Sequence, residues 1–305
     1  MQIVLTLVAG PDGRAALSGR AAAIAEALGA AGPVWLGEEE ACDLILDRTC
    51  PEPAEAVARA ILGDAPIDVL VQPAAGRRKH LLVADLEATI IENEMLDDLG
   101  ALLGRGPQIA AITRRAMDGE IDFTAALEAR VALLAGMERW IVEQAAAGIR
   151  LTPGSRALVA TMRRAGAYTA LVSGGFTLFA EPIARALGFD HVVANRLEYA
   201  GSRLSGRVLP PILTGETKRQ TLLSLVARHG LSPGDTLAVG DGANDLPMLG
   251  AAGLGVAFHA RSVVAAAVRS RIDHADLSAL LYAQGYSRDE FAGGPCASSG
   301  RGEER

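Results

Sequence analysis

Cysteine, excess positive charge and long apolar runs are all scarce in this sequence, and each scarcity removes a class of protein. The three cysteines, Cys42, Cys50 and Cys296, are odd in number and show no C-x-x-C spacing. That argues against both a disulfide framework and a thiolate zinc site, and a reducing cytoplasm fits. A net charge of −7 and a pI near 5.3 lack the concentrated positive surface that nucleic acid or anionic lipid demands. No stretch of about 18 apolar residues is free of charge, so no membrane span is expected. The first apolar run, Ile3–Ala9, follows no Lys or Arg and soon meets Pro11, Asp12 and Gly13, so it reads as a strand rather than a signal peptide. The string G-x-x-x-x-G-K-[ST] is absent, and Gly240-x-Gly242 lacks the remaining glycine of a dinucleotide fingerprint. The five histidines show no metal-ligand spacing.

What is present describes a soluble chain with a sizeable core: half the residues are hydrophobic and 21% are charged. Its 305 residues suit two domains. The first 71 residues alternate as strand 3–9, helix 15–31, strands 34–36 and 42–46, helix 52–62 and strand 67–71. This βαββαβ order is that of a split βαβ, ferredoxin-like unit with two helices on one face of an antiparallel sheet, a unit able to fold by itself. Residues 1–78 are assigned to it, with Arg77, Arg78 and Lys79 as a solvated connector. Trp35 and Trp140 read as packing residues.

From Leu81 onward short runs apolar on both faces, at 81–84, 169–172, 191–194, 236–239 and 254–258, alternate with helical stretches. Such runs belong in a parallel sheet sandwiched by helices, which predicts a doubly wound α/β domain over 79–290. Ligands of these sheets collect at strand ends, where the winding reverses. Between the first two runs lie about eighty residues with helical periodicity, too many for one crossover. Residues 92–148 are therefore assigned to an inserted helical cap, and 291–305 to a disordered tail.

Three runs end in chemically useful groups: Asp85, Ser173 and Asp241. Asp85 and Glu87 are two residues apart at a strand end, so period-two geometry sends both carboxylates to one side. Capping acids at a solvated strand end would look the same. Asp241 and Asp245 in Gly240-Asp241-Gly242-Ala243-Asn244-Asp245 add two more acids at the same sheet edge. Carboxylates so concentrated repel, and a hard cation such as Mg²⁺ with a substrate phosphate is the natural neutraliser. Ser173-Gly174-Gly175 offers a hydroxyl and a turn whose N–H groups can approach anionic oxygens. Lys218 opens a helical stretch, a poor place for a cation unless a phosphoryl group lies beside it. Alone, Ser173 is a turn residue and Lys218 a surface charge; the ordered set carries the argument.

Asp85-x-Glu87-x-Thr89, Ser173-Gly174-Gly175-Phe176, Lys218 and Gly240 to Asp245 resemble the four motifs of the haloacid dehalogenase superfamily and, within it, the phosphoserine phosphatases. The resemblance covers about 81–281 and extends to Asn93-Glu94, Ala116-Met117-Asp118-Gly119, Phe123, Arg130-Val131 and Ala194-Asn195-Arg196-Leu197. It implies that Asp85 attacks phosphorus and that Asp85, the carbonyl of Glu87 and Asp241 bind Mg²⁺, with Asp245 supporting that shell. It also implies that Ser173, Gly174, Lys218 and Asn244 hold phosphate, and that Glu87 exchanges protons with the leaving group and water. Most relatives carry Asp where Glu87 stands and Ser where Ala88 stands; the extra methylene moves the carboxyl by roughly 1.5 Å unless the side chain folds back.

In the cap, Glu94 suits an ammonium, Arg130 a carboxylate, and Met117 and Phe123 an apolar wall. Phosphoserine carries all three groups, so the expected reaction is hydrolysis of O-phospho-L-serine, the last step of serine biosynthesis. Glu94 and Arg130 could equally be a cap ion pair. Two other readings stay open: a phosphatase or phosphotransferase acting on another small phosphorylated amino acid or alcohol, and a weakly active amino acid sensor. The N-terminal unit is similar in topology to ACT-like regulatory domains, which implies a regulatory amino acid there; the oligomeric state is left open.

Overall fold

In the computed structural model, residues 2–47, 52–117 and 120–293 are described, with the side chain of Met117 outside the description. Cys50 and Cys296 also fall outside it. In chain order the elements are β1 (Ile3–Ala9), α1 (Arg14–Leu28), β2 (Val34–Gly37), β3 (Ala41–Leu46), α2 (Glu52–Leu62), β4 (Ile67–Pro73) and β5 (Leu81–Ala84). Next come α3 (Met95–Leu102), α4 (Gly106–Met117), α5 (Phe123–Ala132), α6 (Arg139–Ala147), α7 (Ser155–Arg164), β6 (Tyr168–Phe176) and α8 (Thr177–Leu187). The chain continues through β7 (His191–Ala200), β8 (Arg203–Leu209), α9 (Gly215–Arg228), β9 (Thr236–Gly240), α10 (Leu246–Ala251), β10 (Leu254–Phe258), α11 (Ser262–Ala267), β11 (Ser270–Ile272) and α12 (Ala279–Ala283). None of the described helices is long and apolar enough to cross a membrane.

Two compact units result. One comprises 1–78, 153–166 and 272–305; the other comprises 79–152 and 167–271. In the first, the antiparallel sheet β2-β3-β1-β4 is the expected ferredoxin-like one. Alternate residues Ile3, Leu5, Leu7, Cys42, Leu44, Val69 and Val71 form one core with Leu17, Ile24, Ala54 and Ala58 of α1 and α2. Such alternation is what a strand with one packed face requires.

The opposite face corrects three sequence expectations. Val4, Val8 and Leu70 on it are buried as well, so two helices on one face are not enough to finish this unit. Residues from the C-terminal stretch cover it. Asp68 accepts hydrogen bonds from the backbone N–H groups of Asp273, His274 and Ala275 at 2.7, 3.2 and 2.8 Å, and Gln72 donates to the Ala283 carbonyl at 2.6 Å. The N-terminal segment of this unit does end at Arg78, but the unit is larger than expected: 153–166 and the C-terminal stretch cluster with the first 78 residues. The solvated connector is corrected too. Arg77 pairs with buried Asp43 at 2.7 Å, Arg78 with Glu290 at 2.7 Å and over the Tyr286 ring, and buried Lys79 donates to the Gly234 carbonyl at 2.8 Å. The tail expected to be disordered from 291 still holds Phe291 buried, and the Ala292 N–H donates to Thr161 Oγ1 at 2.7 Å; 294–305 lie outside the described residues. Trp35 and Trp140, expected to pack, are 41% and 55% exposed.

The second unit is built on the sheet β11-β10-β9-β5-β6-β7-β8. Pairing is parallel from β10 through β7, and all five apolar runs lie in it. Its strands are buried on both faces, with Leu81, Val83, Ala170, Val172 and Ala238 packed against Leu222, Leu225 and Met248. Winding reverses at β5, which lies between β6 and β9, so the ends of these three strands frame the crevice.

Helices α3 to α6 leave and rejoin the sheet through a short antiparallel crossing. The Glu92 N–H donates to the Arg150 carbonyl at 2.9 Å and the Thr152 N–H to the Ile90 carbonyl at 3.0 Å. Strand β7, expected to stop at 194, runs on and turns back through β8 as an antiparallel hairpin. Its alternating polar residues lack the apolar signature of the other runs. The hairpin tip bonds to the α5–α6 turn: the Gly136 N–H donates to the Leu204 carbonyl and the Leu204 N–H to the Met137 carbonyl, each at 2.9 Å.

Candidate active site

The carboxylate of Asp85 stands at the first residue past β5, 6% exposed, where the strand has run out of apolar side chains. The next turn is wide, spanning Leu86–Ile90, and within it Ala88 takes a left-handed φ of 51°. That conformation costs an alanine roughly 1–2 kcal/mol, and it sets the direction in which the chain leaves Glu87.

Lys218 reaches the same point from the first turn of α9, which a Thr214/Thr217 capping box opens. Its ammonium is 1% exposed and donates to Asp85 Oδ1 and Asp245 Oδ1, each at 2.6 Å. A buried ammonium is tolerable only with such partners. Burial works against its charge, but Asp245 and Asp85 outweigh that and raise its pKa.

Carboxylate oxygens of Asp85, Asp241 and Asp245 converge within 4.8 Å of one another. Three carboxylates against one ammonium leave two negative charges uncompensated in the cluster. The consequence is visible in the acids. Burial, then the charge of Asp245, pushes Asp85 up to about 7, and the same two causes in the same order push Asp241 up to about 7. An all-oxygen, over-charged donor set of this kind fits a hard divalent cation. Asp245 has both oxygens engaged, one by Lys218 and the other by the Gly242 N–H at 3.0 Å. That suits a supporting role behind Asp85 and Asp241 rather than a direct bond to a metal.

Ser173 lies in β6 where its register with β7 breaks after Val172, with its Oγ accepting the Gly175 N–H at 2.9 Å. Gly174 is bare for a reason: a Cβ there would meet the Phe123 ring at 3.2 Å and the Asn244 amide nitrogen at 3.6 Å. The structure thus brings Phe123 of α5, Asn244 and Gly174 together around one small space. Glu87 is largely enclosed; burial, then the charge of Glu94, pushes it up to about 8. Burial, then the charges of Asp97 and Asp85, raises the pKa of Glu94, while Arg261 and Arg130 oppose the shift. Arg130 is half-buried, with its Nε donating to the Ala126 carbonyl at 3.3 Å. Among the described residues it forms no ion pair with Glu94, so the cap-bridge alternative is not the arrangement seen. Met117 cannot be placed, because its side chain is outside the described residues.

Two features escaped the sequence reading. The first is the bridge at Asn195: buried on β7, it donates to the Gly174 carbonyl at 2.8 Å and accepts the Leu213 N–H at 2.8 Å, tying the Gly174 loop to the approach of α9. The string Ala194-Asn195-Arg196-Leu197 marked the residue in the sequence, but not the two segments it joins. The backbone N–H of Met95 donates to Glu87 Oε1 at 2.9 Å, and backbone donors leave no mark in a sequence.

Comparison with known proteins agrees with this geometry. The family model described as haloacid dehalogenase-like hydrolase matches residues 82–250. Phosphoserine phosphatase SerB2 of Mycobacterium tuberculosis is 38% identical over 244 residues, which are 79% of this chain and 60% of that protein. Phosphoserine phosphatase of Lactococcus lactis is 42% identical over 203 residues, 67% of this chain and 94% of that protein. The crystal structure of a haloacid dehalogenase family hydrolase from Salmonella enterica serovar Typhi superposes with a TM-score of 0.81 at 26% identity, covering 92% of this chain and 97% of that one. The chain spans about 60% of the length of the first curated relatives it matches. With the four motifs gathered at one sheet edge and these matches in hand, the chain belongs to the haloacid dehalogenase-like hydrolase family.

Proposed function

We propose that this chain is a Mg²⁺-dependent phosphomonoester hydrolase that converts O-phospho-L-serine to L-serine and phosphate through a phosphoaspartate on Asp85. The observation that carries the reading is the buried Lys218 ammonium clamped between Asp85 and Asp245, 2.6 Å from each, beside the uncompensated Asp241. Asp85 Oδ2 is free of that clamp and serves as the attacking atom. Lys218, Ser173, Gly174 and Asn244 surround the phosphoryl oxygens, whose negative charge spreads over the equatorial positions during transfer. Asp85, the Glu87 carbonyl and Asp241 would hold Mg²⁺, which would supply charge neutralisation at those oxygens. Glu87, held near pH-neutral titration by burial, donates a proton to the departing serine alkoxide and then takes one from the water that cleaves the phosphoaspartate.

The substrate's other ends meet the cap. Arg130 offers a planar fork to a carboxylate, Glu94 an anionic partner to an ammonium, and Phe123 an apolar wall. The names of the relatives support phosphoserine as the substrate. An amino acid acting on the N-terminal domain and a cytoplasmic location belong to the same reading. Phosphate release from a panel of phosphoserine, phosphothreonine, phosphoethanolamine, phosphohomoserine and nitrophenyl phosphate tests it, with phosphoserine expected to show the highest kcat/KM. A preference for substrates without an amino acid moiety would refute the specificity, and full activity in excess chelator would refute the metal.

A further inference from the structure

The family resemblance leaves one residue out of pattern, Glu87, a glutamate where an aspartate is usual. Its extra methylene should carry the carboxyl past the position the reaction needs by roughly 1.5 Å, and a misplacement of about 1 Å can cost a hundredfold in rate. The surroundings of Glu87 supply a physical answer. Oε1 accepts the Met95 N–H at 2.9 Å. Met95 is the first residue of α3, whose N-cap Glu94 makes no side-chain capping bond, so this N–H is one a helix start leaves without an internal partner. Oε2 lies over Gly175: a Cβ built there would stand 2.7 Å from Oε2 and 3.0 Å from Cδ of Glu87. Gly175 has no left-handed φ, so backbone conformation does not demand a glycine. Space does.

We propose that Gly175 and the backbone N–H of Met95 are a positioning pair that folds the Glu87 side chain back and seats its carboxyl where a glutamate can serve as the proton-transfer group. One oxygen is held by a donor, and the other occupies the space that a side chain at 175 would fill. An aspartate at 87, shorter by roughly 1.5 Å, would leave the Met95 N–H at about 4.4 Å, beyond hydrogen-bonding range. In this chain the Gly175 space and the Met95 N–H are both used by the longer acid. The proposal rests on the functional reading above, in which Glu87 moves protons.

The test is a double-mutant cycle on the full chain with Mg²⁺ and phosphoserine, measuring kcat and KM for Gly175→Ala, Glu87→Asp and the double variant. Gly175→Ala is expected to lower kcat roughly tenfold or more with KM changed less than about threefold, because a methyl group displaces the carboxyl without touching the cap contacts. In the Glu87→Asp background the same alanine should cost less than about threefold, since the shorter side chain no longer occupies that space. Equal losses in both backgrounds would overturn the proposal and assign Gly175 to the support of Ser173 alone, whose Oγ a Cβ would approach at 3.1 Å.

Met95→Pro against Met95→Ala gives a second measurement should Gly175→Ala not fold. Both lose the methionine side chain, proline is tolerated at the first helical position, and only proline removes the N–H. A kcat for the proline variant roughly tenfold or more below that of the alanine variant is expected; equal values overturn the proposal. Glu87→Gln separates the two levels of inference. Turnover near that of the unchanged protein would remove Glu87 from the proton transfers and overturn the functional reading together with the proposal, whereas its loss leaves the positioning pair to be decided by the cycle.

Discussion

In the proposed function Arg130 is the residue on which substrate identity turns, because it would meet the substrate carboxylate. If it grips the substrate carboxylate, Arg130→Ala removes a charge-assisted contact worth roughly 1.5–3 kcal/mol, or about ten- to more than a hundredfold in kcat/KM for phosphoserine. Phosphoethanolamine and nitrophenyl phosphate have no carboxylate to lose and should change far less. Arg130→Lys should recover only part, since an ammonium keeps the charge without the fork. Equal losses on every substrate would make Arg130 a structural residue of α5. A second prediction concerns the acids. Asp85 and Asp241 at about 7 and Glu87 at about 8 stand above ordinary carboxylates. The metal-free folded state therefore holds more protons than the unfolded chain, and this contribution to stability is lost as pH rises through 7 to 8. Mg²⁺ competes with the same protons, so the rise in Tm on adding it should be larger near pH 8 than near pH 5.5. A Tm shift independent of pH in thermal melts would contradict that.

At the scale of elements, the informative feature is the covered second face of the N-terminal sheet. Asp68 on β4 gathers three consecutive backbone N–H groups of 273–275 on one carboxylate. Asp68→Ala should cost about 2–3 kcal/mol, the scale expected when a charged acceptor is removed from backbone donors, and should lower the midpoint of denaturant unfolding. Catalysis on phosphoserine at low temperature should persist, because Asp68 belongs to the other compact unit. An unchanged midpoint would mean the C-terminal stretch is held by its apolar contacts alone. The cap shows the complementary case. Helices α3 to α6 were legible from 3.6-residue periodicity, but the hairpin of β7 and β8 was not: Arg196, Glu198, Ser205 and Arg207 give no buried-strand signal, and its pairing depends on the α5–α6 turn it bonds to.

For the whole molecule, the division of the chain into two units departs from a simple N-terminal module followed by an enzyme. A fragment of residues 1–78 leaves Val4, Val8, Leu70 and the Asp68 carboxylate without the cover that 272–293 provides. It is expected to be unstable or to associate, in contrast to the full chain. Sedimentation and circular dichroism of the fragment check this; a folded monomer with a cooperative melt would show that the helix-side core suffices. Studies of amino acid binding at this domain accordingly need the complete chain.

The sequence by itself determined the candidate acids and lysine of the site, the parallel core strands and the helical insertion, because these leave local marks: apolar runs, acids at strand ends, helical periodicity. It also marked Glu87 as the exception. Tertiary structure decided what depends on pairing between distant segments: the clamp of Lys218 between Asp85 and Asp245, the bridge through Asn195, the seat of Glu87 over Gly175, and the cover on the N-terminal sheet. Arg77, Arg78 and Lys79 show the physical reason. As a string they are a polar connector, and only the carboxylates, ring and carbonyl that the fold brings to them turn three solvated charges into buried or paired ones.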